Sequence, residues 1–401
     1  MKIKDERHPK ELYLFLISKT LERTSYYGLR SLIVLYMIDS VIKMETKDAL
    51  SIFGLFVSSF LIANVLGAII GDLLIGNKKS MLFGGILQAV GTFVFCIPST
   101  TGLYTGMLLV VLGNGLYNPN IIANFGKLYL NKTKLLDAGF MTYYLAINIG
   151  AFIGVLFIGL IGEKYGWSNG FLVAGVIMLL ATIPVLFFKE QELKIIEETT
   201  KMTLSKRIIK VVIAFVVIGL FWASFELNSL ASFDLQDKIK EISTFDFPIA
   251  LYSSLNFIFI IIFGILAIIL WSFFYKNQFF KIVAGSIFGL LSFGVLLLVS
   301  IVSSEYYVVL FILSFLFMSI AEIHIAAIVY SIITQYADPK YLAIVMSLIF
   351  IPIGLISYLL GLFTDGLLEN TVIILFVGGL IMAFLIVGLY LFNRSDKKSI
   401  S

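Results

Sequence analysis

The sequence predicts an all-α membrane protein with twelve transmembrane helices in two six-helix bundles. Hydrophobic residues make up 60% of the chain, charged residues make up 13%, and the mean hydropathy is +1.02. Average soluble domains carry about 25% charged residues. Apolar stretches long enough to cross a bilayer as helices recur along the chain. These observations place the chain among the polytopic membrane proteins.

The apolar stretches also predict where the bundles begin and end. Twelve spans are expected at about 12–37, 49–75, 80–99, 102–130, 136–162, 166–188, 207–232, 247–275, 281–303, 306–335, 342–366 and 371–393. One long polar segment separates the first six spans from the last six. The predicted domains are therefore a bundle at 1–188, a cytoplasmic linker at 189–206, and a second bundle with a short tail at 207–401. Two bundles with a binding site at their interface are typical of transporters.

Basic residues predict the orientation, because cytoplasmic loops are enriched in lysine and arginine. With the N-terminus inside, 21 of the 29 basic residues fall in cytoplasmic segments and 5 in outer loops. We therefore expect a multi-pass plasma (inner) membrane protein with both termini in the cytoplasm. The net charge of +4 is spread over short loops, so no nucleic-acid partner is expected.

The first span carries an unusual number of polar residues. At 3.6 residues per turn, one helix face presents Lys19, Glu22, Arg23, Tyr26, Tyr27 and Arg30. Unpaired charge at membrane depth is costly, so this face is not expected to contact lipid. It should face a watery cavity, a ligand or opposite charges on other helices. We call these six residues the α1 stripe, and we treat the stripe as a candidate functional site.

Two further carboxylates are predicted deep in the second half, Glu226 in the seventh span and Glu322 in the tenth. The α1 stripe has an excess of two positive charges, and these two acids supply two negative charges. Opposite charge in the two halves suits a zwitterion, with its carboxylate on arginine and its ammonium on Glu322. The alternative is that the charges only pair across the bundle interface as gates.

Several stretches resemble a known family. The turn at 71–79 resembles the loop motif of the major facilitator superfamily. Four stretches resemble the proton-dependent oligopeptide transporters (POT, also called PTR) of that superfamily: Glu22–Arg30, Gly113–Tyr129, Tyr143–Ala151 and Phe221–Glu226. They are similar to the family patterns ExxERFxYYG, GNGLFKPN…GKLY, FYxxINxGA and FWxxFEQ.

The resemblance implies uptake of di- and tripeptides by alternating access, with protons as the possible coupling ion and no cofactor. The expected partners are small peptides and the lipid bilayer, with no obligate protein partner. The residues matching the family's peptide-binding positions are Arg23, Tyr26, Tyr27, Arg30, Asn148, Asn256 and Glu322. The residues assigned to proton coupling or gating are Lys19, Glu22, Glu226 and Asn118. The alternative for the tyrosines is packing, and for Asn148 it is a helix–helix hydrogen bond.

The chain departs from the family pattern at two positions of the proton-coupling network. Lys19 stands where the family has an acid, and Asn118 stands where it has a lysine. One hypothesis is that Lys19 takes over the lysine's role, paired with Glu22 or with Glu226. The other is that coupling has decayed and Lys19 only balances charge. If coupling persists, Glu322 and Glu226 are the expected proton carriers, because they lie farther from the arginines in sequence.

Other functions remain open on the same fold. The extra positive charge at Lys19 would suit transport of an amino acid, nitrate or another small anion. A protein that binds a ligand without transporting it is a third hypothesis. An enzyme is not expected, because the sequence has no metal-ligand spacing and no nucleophile–base constellation.

Overall fold

The computed structural model describes residues 7–39, 42–190, 202–242, 249–274, 276–362 and 370–398, and most of these residues are helical. The first seven helices are α1 (Leu12–Ile38), α2 (Thr46–Ile69), α3 (Asn77–Val94), α4 (Thr100–Lys127), α5 (Thr133–Ile153), α6 (Gly159–Tyr165) and α7 (Trp167–Phe187). The next seven are α8 (Leu204–Ile242), α9 (Ile249–Phe273), α10 (Gln278–Leu297), α11 (Tyr307–Tyr336), α12 (Leu342–Ser347), α13 (Phe350–Leu362) and α14 (Thr371–Lys398).

Short irregular turns interrupt or extend several helices. A π-helical turn at Ile70–Ile75 extends α2, and another at Gly154–Ile158 joins α5 to α6. Gly76 and Gly166 follow with φ values of +87° and +96°, which glycine adopts without a steric penalty. These two glycines therefore separate α2 from α3 and α6 from α7.

Every predicted span falls on helical structure. Ten helical segments within the described ranges are long and apolar enough to cross a membrane. The other two spans are α1 and α3, whose sequences contain the charged α1 stripe and the paired lysines at the start of α3. The predicted all-α membrane fold is confirmed. Most of the predicted linker lies outside the described residues, as do the ends of the spans predicted at 247–275 and 342–366.

The chain divides into two compact units. The first contains the described residues of Glu6–Arg207 together with Ile333–Leu348, and the second contains those of Ile208–Ile332 and Ile349–Ser401. The end of α11 and all of α12 therefore pack with the first unit, although they follow the sixth span by more than a hundred residues. The domain boundaries that we drew from the sequence remain a prediction.

Hydrogen bonds at the turn after α2 explain why Ile333–Leu348 joins the first unit. Asp72 Oδ2 accepts a hydrogen bond of 2.9 Å from the backbone N–H of Ile344, near the start of α12. Asn77 donates to Asp72 Oδ1 at 2.8 Å, and Lys127 donates to Asn77 at 2.6 Å. A carboxylate at the N-terminus of a helix is stabilised by the free N–H groups there.

Close helix packing fixes the position of α1, which packs against α5 and α7. A Cβ atom at Gly150 of α5 would lie 2.8 Å from Cβ of Arg23 and would also meet the backbone oxygen of Thr20. Glycine at this position lets the two backbones approach closely, as is common between membrane helices. Two serines of α1 add hydrogen bonds to α7, from Ser18 to Ala181 O at 2.5 Å and from Ser25 to Ala174 O at 2.7 Å.

Candidate functional site

Three of the four charged residues of the α1 stripe form a buried cluster around one carboxylate. Glu22 is fully buried, and Arg23 donates to both of its oxygens, from Nε at 2.6 Å and from Nη2 at 2.5 Å. Lys19 Nζ lies 3.0 Å from Glu22 Oε2. Helical spacing brings Lys19 and Glu22 together, since residues three apart are neighbours on a helix surface. We call Lys19, Glu22 and Arg23 the ion triad.

The ion triad also contacts α4. Lys19 Nζ donates a hydrogen bond of 2.6 Å to Asn118 Oδ1, and Asn114 Nδ2 lies 3.5 Å from Glu22 Oε1. Lys19 therefore pairs with Glu22, one of the two partners that its position in the sequence suggested. The amide of Asn118 is neutral, so it satisfies a hydrogen bond of Lys19 without balancing its charge. With one carboxylate and two cations, the triad carries a net charge of +1 when Lys19 is protonated.

Aromatic rings surround the arginines of the α1 stripe. The Arg23 guanidinium lies 4.9 Å from the Tyr26 ring centroid, and that of Arg30 lies 6.0 Å from Tyr27 and 5.6 Å from Phe53. Such contacts favour a cation by about 0.5–2 kcal/mol. Arg30 is partly exposed, and no carboxylate of the described ranges lies within ion-pair distance of it. Its guanidinium can therefore accept an anionic ligand without first breaking an ion pair within those ranges.

Asn148 occupies a buried position on α5, and its side chain bonds to its own helix. Its Nδ2 donates a hydrogen bond of 3.0 Å to the backbone oxygen of Tyr144, one turn earlier. This bond engages the amide nitrogen and does not involve another helix.

A second group of polar residues lies in the second unit. Glu322 on α11 is 3% exposed, and its Oε2 accepts a hydrogen bond of 3.1 Å from Asn256 Nδ2 on α9. Ser319, one turn before Glu322, donates to Asn256 Oδ1 at 2.6 Å. Because Ser319 binds the oxygen of this amide, its nitrogen points toward Glu322. We call Ser319, Glu322 and Asn256 the acid group.

The structure thus places the predicted site residues in two sets. The α1 stripe, Asn118 and Asn148 lie in the first unit, whereas Asn256, Glu322 and the partly buried Glu226 lie in the second. Each set contains direct contacts between predicted residues. The assignment of these residues to substrate binding or proton coupling remains a prediction.

His324 belongs to a separate polar contact in the second unit. Trp271 Nε1 donates to His324 Nε2 at 3.1 Å, so this nitrogen must act as an acceptor. His324 Nδ1 lies 2.8 Å from the backbone oxygen of Ile320, which requires Nδ1 to be the donor. One donor and one acceptor describe a neutral imidazole held in a single tautomer.

Sequence reasoning missed several residues that complete these groups. Ser319 orients Asn256, Phe53 contacts Arg30, and Tyr117 shares a hydrogen bond of 2.6 Å with Ser18. Lys281, at the first position of the span predicted at 281–303, is buried on α10 beside the Trp271 ring. Helical spacing from Glu322 was a signal for Ser319, but the other contacts depend on which helices pack together. The described residues contain no cluster of metal-ligating side chains.

Comparisons with known proteins agree with this architecture. A family model described as Major Facilitator Superfamily matches residues 20–362. "Uncharacterized transporter YclF" of Bacillus subtilis (strain 168) is 28% identical over 205 residues, which cover 50% of this chain and 42% of that protein. "Peptide transporter YePEPT" of Yersinia enterocolitica subsp. palearctica serotype O:3 (strain YE-P4) is 32% identical over 183 residues, which cover 44% of this chain and 36% of that protein. This chain thus spans less than half of the length of these relatives.

A solved structure matches over nearly the whole chain. The crystal structure of a POT family transporter in complex with a thioalcohol conjugated peptide has a TM-score of 0.65 and 20% sequence identity, covering 97% of both chains. At this level of identity the likeness shows the fold. The family model, which matches more than half of the sequence, shows that the chain belongs to the Major Facilitator Superfamily.

Proposed function

We propose that this protein takes up di- and tripeptides by alternating access, with protons as the coupling ion. The observation that carries the proposal is the opposite charge of two sets of residues. The α1 stripe has an excess of two positive charges with Lys19 protonated, and Glu226 and Glu322 supply two negative charges in the second unit. A short peptide is a zwitterion, and each of the two sets offers charge of the sign opposite to that of one peptide end.

The peptide carboxylate is expected to bind at the arginines of the α1 stripe. Guanidinium groups bind carboxylates through paired donors. Arg23 already uses two of its donors on Glu22, whereas Arg30 is held between aromatic rings and is partly exposed. We therefore assign the principal carboxylate contact to Arg30, with Tyr26 and Tyr27 beside it.

The peptide ammonium is expected to bind at the acid group. Asn256 orients the Glu322 carboxylate. Amide groups can also form hydrogen bonds with the peptide backbone, whatever the side chains of the peptide are. The names of relatives such as "Dipeptide and tripeptide permease A" of Pectobacterium carotovorum subsp. carotovorum (strain PC1), 30% identical over 186 residues, support a peptide substrate. The distribution of basic residues supports placing both termini in the cytoplasm.

The proposal is tested with purified protein by thermal shift, followed by counterflow in proteoliposomes. Alanyl-alanine and trialanine should raise the melting temperature, because a ligand at a hundred times its Kd stabilises by about 2.7 kcal/mol. Free alanine and nitrate should raise it less. Arg30→Gln should weaken the peptide effect, and Lys164→Gln, an exposed lysine outside the stripe, is the matched control. Absence of a shift and of counterflow with every peptide would contradict the proposal.

A small anion is the second candidate substrate, because Arg30 has no carboxylate partner in the described ranges and the ion triad carries excess positive charge. Nitrate or a free amino acid that competes as strongly as alanyl-alanine in counterflow would favour this candidate. A peptide-induced thermal shift without counterflow would instead favour a ligand-binding protein that does not transport.

A further inference from the structure

The ion triad contains more positive charge than its carboxylate can balance. Arg23 binds both oxygens of Glu22, so these two residues form a complete ion pair. Lys19 adds a second cation to the same carboxylate, 3.0 Å from Oε2. The excess charge of the triad therefore belongs to Lys19.

Lys19 holds this charge where solvation is poor. Its side chain is 1% exposed on a membrane-embedded helix. In the described ranges, Nζ has two polar partners, Asn118 Oδ1 and Glu22 Oε2. A neutral amine has two N–H groups, which these two acceptors satisfy. An ammonium has a third N–H and a charge, and its attraction to Glu22 only partly offsets the free-energy cost of desolvating that charge. The geometry therefore accommodates the neutral amine at least as well as the ammonium.

Other groups around Lys19 are poorer proton carriers. On α1, Glu22 is held ionised in the arginine pair, and an arginine does not lose its proton in proteins. On α4, Tyr117 is a phenol bonded to Ser18, and the other polar contacts are the amides of Asn114 and Asn118. On α5, the Tyr143 ring centroid lies 6.0 Å from Lys19 Nζ. On α7, the contact is the backbone oxygen of Ala181, which binds Ser18.

We propose that Lys19 is the proton carrier of this transporter, an inference that rests on the proposed peptide uptake. On release, an N–H bond of the ammonium breaks, its electron pair stays on Nζ, and the proton passes to water. The triad then changes from a net charge of +1 to neutral. On uptake, water delivers a proton to the lone pair of Nζ and restores the charge. The carrier is thus a lysine, and not one of the carboxylates that the sequence suggested.

Binding of the peptide couples to this proton. A carboxylate arriving at the arginines of the α1 stripe is attracted by the protonated triad and less by the neutral one. By linkage, peptide binding then favours protonation of Lys19, so binding takes up protons and tightens as the pH falls. Asn118 contributes by holding Nζ in place in both states, because its Oδ1 accepts from an amine or an ammonium.

The first test measures gradient-driven accumulation of labelled alanyl-alanine in proteoliposomes. One proton per peptide allows about tenfold accumulation per pH unit of inward gradient. The wild type and Lys47→Met, an exposed lysine at the start of α2, should approach this ratio. Lys19→Met and Lys19→Arg should give a ratio near one, since neither side chain exchanges protons at these pH values. Accumulation by either Lys19 variant at the wild-type ratio would overturn the proposal.

The second test measures proton uptake on binding, from heats of alanyl-alanine binding in buffers of different ionisation enthalpy. The wild type should take up a fraction of a proton that Lys19→Arg does not, while the control variant Lys47→Met keeps this uptake. Unchanged uptake in Lys19→Arg would overturn the proposal. Loss of peptide binding in Lys19→Arg would also contradict it, because arginine preserves the charge that attracts the carboxylate.

Failure of the inference and failure of peptide transport have different signatures. If the wild type exchanges peptide in counterflow but does not respond to the pH gradient, only the assignment of Lys19 as the proton carrier is contradicted. If the wild type shows no counterflow at any pH, the proposed peptide transport itself is contradicted.

Discussion

The ion triad of the first unit and the acid group of the second bury a carboxylate in different ways. Glu22 is held by two cations, whereas Glu322 accepts a hydrogen bond from the neutral amide of Asn256. Cations neutralise a carboxylate and leave it little capacity to bind another positive group. An amide orients a carboxylate without changing its charge. The comparison indicates that Glu22 organises α1, while Asn256 orients the Glu322 carboxylate.

Removing the carboxylate of the ion triad should have the largest effect. Glu22→Gln leaves Lys19 and Arg23 buried without an opposing charge, and breaking a buried ion pair costs about 3–5 kcal/mol. The melting temperature of the detergent-solubilised protein should fall sharply. Glu45→Gln, an exposed acid before α2, is the control and should change little. Equal melting temperatures would show that Glu22 does not organise the triad.

A double variant sharpens this prediction. Adding Lys19→Met to Glu22→Gln removes one of the two uncompensated cations, so part of the lost stability should return. The coupling between the two changes is read from the thermodynamic cycle of single and double variants. Purely additive losses would contradict the contact between Lys19 and Glu22.

The close approach of α1 and α5 should have an intermediate effect. Gly150→Ala places a Cβ against the backbone of Thr20 and against Arg23, and overpacking of this kind costs about 1–3 kcal/mol. Gly54→Ala on α2 is the matched control, because a Cβ there meets nothing within 4 Å. That control should stabilise by up to about 1 kcal/mol, the gain of alanine over glycine in a helix. Equal melting temperatures for the two variants would contradict the packing described for α1.

The acid group should respond mainly in ligand binding. Ser319→Ala removes the hydrogen bond that orients Asn256, so the amide nitrogen is no longer held toward Glu322. Loss of one such bond is worth about 1 kcal/mol, or roughly a fivefold weaker interaction with peptide. The apparent affinity for alanyl-alanine in counterflow measures this change, and Ser300→Ala, an exposed serine, is the control. An unchanged affinity would show that Asn256 does not orient Glu322 for binding.

Much of the fold could be predicted from the sequence, because span length and hydropathy follow directly from residue types. The α1 stripe was also predictable, since helical periodicity places Lys19, Glu22 and Arg23 on one face whatever lies opposite. The pairing of Lys19 with Glu22 was one of two possibilities, and choosing between them required the rotamer and packing of Lys19.

Features that depend on contacts between distant segments were not predictable in this way. The packing of Ile333–Leu348 with the first unit depends on Asp72 reaching the start of α12. The burial of Lys281 depends on Trp271 and on the helices around α10. Neither contact leaves a periodic signal in the sequence, and the π-helical turns after α2 and α5 do not leave one either.

The central claim is that the two charged ends of a peptide are bound by separate groups, the carboxylate by the α1 stripe and the ammonium by the acid group. Counterflow competition tests it with alanyl-alanine, its C-terminal amide and its N-acetyl derivative. We predict that both derivatives compete less well than alanyl-alanine in the wild type. In Arg30→Gln, the C-terminal amide should compete as well as alanyl-alanine, while the N-acetyl derivative still competes less well. In Glu322→Gln, the N-acetyl derivative should compete as well as alanyl-alanine, while the amide still competes less well. Equal competition by all three compounds in the wild type would contradict the claim.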